Sequence, residues 1–176
     1  RQITDTNFAL CGGELQKSGN DYYLVFGHYF RGRYTDPPTP LFFQQYSNEI
    51  RKFNISDDGI NLNASGWIIT NDTVNFHRRD LNVLPVVKPD GSFAIEAFGG
   101  VFRYEQNIPF RNPVMIDSSG IFVNSNYEQV MSQYTCAAIP VFDTLTRSMY
   151  ETFLGGISLY DYDEQTAHSF FEPFNF

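Results

Sequence analysis

Over residues 86–104 the chain reads Val-Val-Lys-Pro-Asp-Gly-Ser-Phe-Ala-Ile-Glu-Ala-Phe-Gly-Gly-Val-Phe-Arg-Tyr. Phe93, Ile95 and Ala97 alternate with Ala94, Glu96 and Phe98, which is the period of a strand. Pro89-Asp90-Gly91 supplies a turn before it: Pro presets φ, Asp bonds its own backbone, and Gly tolerates positive φ. The spacing predicts two strands around that turn. The pair Gly99-Gly100 then interrupts the apolar run, and a glycine inside a strand marks a bulge or a close approach of another backbone.

The pattern occurs twice more. Residues 22–28 (Tyr-Tyr-Leu-Val-Phe-Gly-His) follow a Gly19-Asn20-Asp21 turn. Residues 148–160 follow Asp143-Thr144-Leu145-Thr146 and contain Gly155-Gly156. An earlier apolar run precedes each copy: residues 8–11, 81–87 and 136–142. The repeating unit is strand, polar turn, aromatic strand, Gly pair, with His28 in place of the second Gly after Gly27. The first unit continues with a predicted strand over residues 45–55, an Asp57-Asp58-Gly59 turn, and a strand over residues 60–70 carrying Trp67. The second continues with Val114-Met115-Ile116, a turn at residues 117–120, and Ile121-Phe122-Val123. Three prolines in residues 35–40 forbid a regular strand there. Residues 161–176 read as a tail, so the third unit lacks its last two strands.

Composition fits this picture. With 18 Phe, 11 Tyr and 9 Pro in 176 residues, the chain favours strands and turns over helices. No stretch has apolar residues at helical spacing, and no apolar run is long enough to span a membrane. A net charge of −8 argues against nucleic acid, whose affinity comes from neutralising phosphates with Lys and Arg. Cys11 and Cys136 both lie in apolar runs and read first as buried free thiols, with a disulfide as the alternative. Two Cys and three scattered His give no metal-ligand spacing, and no cofactor is implied.

A strand, a polar turn, an apolar strand ending in Gly-Gly, a downstream Tyr, then a strand and a Trp resembles the kelch repeat, a four-stranded blade of a β-propeller of about 50 residues. Gly27, Tyr34 and Trp67 carry the match in the first unit, Gly99, Gly100 and Tyr104 in the second, Gly155, Gly156 and Tyr160 in the third. The words Gly12-Gly13-Glu14-Leu15, residues 23–28 and residues 77–82 also resemble secreted bacterial cell-surface proteins of galactose-oxidase-like propeller shape. The copper site of galactose oxidase, a Cys-linked Tyr with His ligands, has no counterpart in these words. The resemblance implies an all-β fold: a partial β-propeller of about three four-stranded antiparallel blades, the last incomplete. Its divisions are residues 1–7 as a tail or link, 8–76 as blade one, 77–132 as blade two, 133–162 as the start of blade three, and 163–176 as a tail. An open arc leaves apolar blade faces bare, so the remainder of the propeller, in the same or a second chain, is the expected partner, with a surface protein or glycan as ligand. Extracellular or cell-surface location follows from the same resemblance.

Two polar groupings are candidates for binding. His77, Arg78, Arg79 and Asp80 form the densest cluster, where two guanidiniums suit a carboxylate or sugar acid; the alternative is Arg–Asp bracing between blades. Tyr29, Arg31, Arg33 and Tyr34 interleave aromatic and cationic groups, which suits sugar or peptide; the alternative is an ordinary loop. Gly27, Gly99, Gly100, Gly155, Gly156 and Trp67 are structural candidates, with Gly99 and Gly155 expected to exclude a Cβ. Paired carboxylates would serve glycosidic cleavage. Glu96 and Glu151 look equivalent, but they stand three and four residues before their Gly pairs. Period 2 therefore points them to opposite sides of their blades and argues against a pair. The expectation is a non-catalytic segment acting in binding or complex assembly, with a carbohydrate-active propeller enzyme as the alternative.

Overall fold

The computed structural model describes residues 1–34 and 41–171, with side chains to residue 168. The protein is all-β, built from antiparallel sheets of two to four strands. It divides into two compact units, Arg1–Arg79 and Asp80–Phe176. No helix among the described residues is long and apolar enough to cross a membrane.

In the first unit, β1 (Glu14–Ser18), β2 (Asp21–Val25), β5 (Glu49–Asp57) and β6 (Leu62–Asn71) form a four-stranded sheet in that order. A hairpin of β3 (His28–Arg33) and β4 (Leu41–Tyr46) is inserted between β2 and β5. Phe26 and Gly27, at φ 59° and 98°, turn the chain out of the first sheet. A Cβ on Gly27 would lie 2.9 Å from the Cys11 carbonyl oxygen, so this position requires glycine. Trp67 stacks on Phe53 at 4.3 Å, and Phe8 meets both rings edge-on at 5.2 Å.

Local chemistry moves two predicted boundaries in this unit. Residues 8–11 are not a strand. Asp5 accepts a hydrogen bond from the Asn7 backbone and starts a 3-10 turn over Thr6–Phe8. Cys11 joins His28 in an isolated bridge rather than a strand, and it is exposed rather than buried. The strand predicted over residues 45–55 is split, because Asn48 takes φ 57° between β4 and β5. The loop predicted at residues 35–40 lies outside the described residues.

In the second unit, β7 (Arg79–Val87), β8 (Phe93–Val101), β9 (Val114–Asp117) and β10 (Gly120–Val123) form an uninterrupted four-stranded meander. Two hairpins follow, β11 (Ala137–Asp143) with β12 (Ser148–Leu154), and β13 (Tyr160–Asp163) with β14 (His168–Phe171). The segment predicted as a tail from residue 163 therefore contains a strand. Asp163 closes the turn, accepting from the Gln165 backbone and Thr166 Oγ1, and Ala167 adopts φ 56°.

One core of this unit lies between the meander and the β11–β12 hairpin. Leu84, Val86, Ala94 and Phe98 receive Met115, Ala138, Met149 and Phe153. Phe98 and Phe153 meet edge-on at 5.1 Å. The glycines behave unequally. A Cβ on Gly99 would sit 2.9 Å from the Gln133 carbonyl oxygen, and one on Gly156 would sit 2.8 Å from that of Tyr134. A Cβ on Gly155 would meet nothing, so close approach falls on the second glycine of that pair, not the first.

Candidate functional site

The first binding candidate is divided by its backbone. Arg78 is fully buried. Its Nε donates to the Asn75 carbonyl at 2.7 Å, its guanidinium lies 5.6 Å from the centre of the Phe26 ring, and its carbonyl accepts from Gly27 N at 2.9 Å. Its charge also bears on Asp72. Burial opposes ionisation of that carboxyl, but hydrogen bonds from Asn75 and Val74 and the Arg78 charge hold it below the usual range. His77 and Arg79 turn elsewhere and converge on Tyr46. The His77 ring stacks on Tyr46 at 3.7 Å, and Arg79 Nε donates to its hydroxyl at 3.1 Å. Asp80 holds φ 54° at the boundary between the two units.

The second candidate also splits. The Tyr29 hydroxyl accepts from Arg51 Nη2 at 2.7 Å, while Arg51 Nε donates to Glu49 at 2.7 Å and Nη1 to the Asn7 carbonyl. Arg51 is buried, so Tyr29 belongs to an internal brace. Arg31, Arg33 and Tyr34 are exposed at the end of β3. Tyr34 closes a ring cluster with Phe30 at 4.7 Å and Phe42 at 4.9 Å. Two cations beside an exposed aromatic cluster form a surface suited to planar or anionic groups.

The second unit holds a pairing that sequence reasoning set aside. Ala94, Glu96 and Phe98 share one face of β8; Met149, Glu151 and Phe153 share one face of β12. These faces pack together, and the like charge of Glu151 bears on Glu96. Burial first, and the Glu151 charge second, push the Glu96 carboxyl up from 4.5 to about 7. Burial raises Glu151 as well. Tyr127 is raised by burial and then by both carboxylates. Opposite sides of successive sheets are the sides that pack, so the one-residue offset from the Gly pairs sets both carboxylates on the packed faces rather than apart. Beside them lies a cavity of about 270 Å³ lined by Phe98, Tyr127, Gln129, Gln133, Glu151 and Phe153, among others. Gln129 anchors its wall, its Oε1 accepting from Gly99 N at 2.7 Å.

No group of three or more His, Cys, Asp or Glu among the described residues is arranged to hold a metal. Neither Cys11 nor Cys136 is in a disulfide. No family model and no curated protein matches the chain.

Proposed function

We propose that the chain is a kelch-type β-propeller segment of about three blades, the last incomplete, acting non-catalytically in binding or complex assembly outside the cell or at its surface. The observation that carries this reading is the two-sided β11–β12 hairpin. Its inner face, with Met149 and Phe153, packs on the preceding meander. Its outer face presents Ile139, Val141, Tyr150 and Leu154, each about half exposed. These residues sit together by register: Val141 pairs with Tyr150, and Ala137 with Leu154. A propeller blade has such an apolar second face because the next blade covers it. The two four-stranded sheets supply the blade-like units.

The test is binding of the dye 1-anilinonaphthalene-8-sulfonate together with light scattering. The chain should bind dye and associate as concentration rises. Ile139→Lys with Val141→Lys should abolish both while the circular dichroism is kept. Equal dye binding and association by the variant would remove this support.

The carboxylate pair beside its cavity favours a second reading, a carbohydrate-active enzyme. Two carboxyls, both raised by burial and one of them to about 7, are groups of the kind that glycoside hydrolysis uses. A glycan array with a hydrolysis screen separates the readings. Cleavage lost in both Glu96→Gln and Glu151→Gln would displace the non-catalytic one.

A further inference from the structure

Cys11 and His28 face each other across an isolated antiparallel bridge. Cys11 N donates to the His28 carbonyl at 3.0 Å, and His28 N donates to the Cys11 carbonyl at 2.9 Å. Two side chains leaving such a bridge are held side by side, and Cys11 Sγ lies 3.2 Å from His28 Nε2. The thiol is also 3.5 Å from the His28 carbonyl oxygen. The residue that carries the thiol is exposed, whereas the imidazole is buried and fixed. Its ring meets Phe30 edge-on at 6.0 Å and tilts against Tyr46 at 6.0 Å. Tyr46 in turn carries His77 and Arg79. An accessible nucleophile, a base within hydrogen-bond reach, and packing that orients the base are the parts of an activated thiol.

We infer that Cys11 is a nucleophilic thiol served by His28, and that it exchanges with the disulfide of a small molecule or partner protein. His28 Nε2 takes the Sγ proton, and Sγ attacks one sulfur of the incoming disulfide. The new Sγ–S bond forms as the old S–S bond breaks, and the departing thiolate takes the proton back from His28. One thiol and one disulfide become one mixed disulfide and one thiol, with no net oxidation. Cys136 is the internal contrast: it is only partly accessible, and burial pushes its thiol up. The inference does not rest on the propeller reading, because it needs only the Cys11–His28 bridge and the rings packed on the imidazole.

The experiment uses the full chain with Cys136→Ser. Alkylation by iodoacetamide is followed by mass spectrometry, and exchange with 5,5′-dithiobis(2-nitrobenzoate) by absorbance. At pH 6.5 the folded chain should react about tenfold faster than the same chain unfolded in urea. Its rate should change little between pH 6 and 8. His28→Gln should bring the folded rate down to that of the unfolded chain. If His28→Gln does not fold, the profile of the parent chain decides. A plateau supports the dyad, and a tenfold climb per pH unit overturns it. A folded rate at or below the unfolded rate also overturns it.

Discussion

Glu96 makes the stability of the second unit depend on pH in an unusual direction. Its carboxyl is raised from 4.5 to about 7 in the folded chain. Between those values the folded state holds a proton that the unfolded state has released, so stability falls as pH rises. The contribution is complete below about pH 4.5 and lost above about pH 7. At about 1.4 kcal/mol per pH unit, the gap sets a ceiling of about 3.4 kcal/mol. Glu96 retains partial contact with solvent, and screening reduces this to about 1–2 kcal/mol.

The groups around it do not offset the effect. Met115 pairs with Glu96 across β8–β9, and Pro140 pairs with Glu151 across β11–β12, so neither of these ladder partners brings a cation. Lys88 bonds Asp117 at 2.7 Å, and Asp90 is held below its ordinary value by Ser92 first and more weakly by Lys88 and Arg147. Asp72, Asp90 and Asp117 all have lowered values, so their stabilisation is lost only in acid, below the window where Glu96 titrates. Urea unfolding of the parent chain and Glu96→Gln from pH 4.5 to 8 measures the effect. The parent should lose about 1–2 kcal/mol across that range. The variant should be nearly flat, equal at the acid end and more stable at pH 8. A parent curve without this fall, or a variant destabilised equally at every pH, would refute the facing-carboxylate account.

Glu151→Gln should remove part of the same fall by lowering Glu96, and urea titration of the single and double variants would show non-additive effects of the pair. Gly99→Val should cost about 2 kcal/mol or more, because a Cβ would strike the Gln133 carbonyl and the backbone is at φ 64°. Gly155→Val should cost only about 1–2 kcal/mol for its φ of 83°, and thermal melts of both would rank them. Arg51→Ala should cost about 2–3 kcal/mol, since it strips partners from Tyr29, Glu49 and the Asn7 carbonyl, and Trp67 emission reports the loss of this unit.

The all-β class was legible because period-2 alternation and Asp- or Gly-centred turns are local signals. Asp58, Asp90, Asp117 and Asp143 all accept from backbone N–H groups two or three residues on, as their sequence contexts promise. Boundaries failed where one residue took positive φ without being glycine. Asn48 split a predicted strand, and Ala167 allowed a hairpin within a predicted tail. The sites were less legible, for two separate reasons. Arg78 and Arg79 are adjacent, so in an extended chain they point to opposite sides and a run of polar letters becomes two environments. Glu96 and Glu151, by contrast, influence each other because they lie on the packed faces of two different sheets. Their offset from the Gly pairs describes each sheet alone, whereas the charge of Glu151 bears on Glu96 between the packed faces of β8 and β12. Cys11 and His28 offered a cue in the same chain geometry. Gly12 and Gly13 precede β1, and Gly27 precedes β3; a Cβ on Gly13 would lie 2.6 Å from the Phe26 carbonyl oxygen. These glycines let two irregular segments lie against each other, and the residues beside them, one thiol and one imidazole, are what that close approach brings within reach.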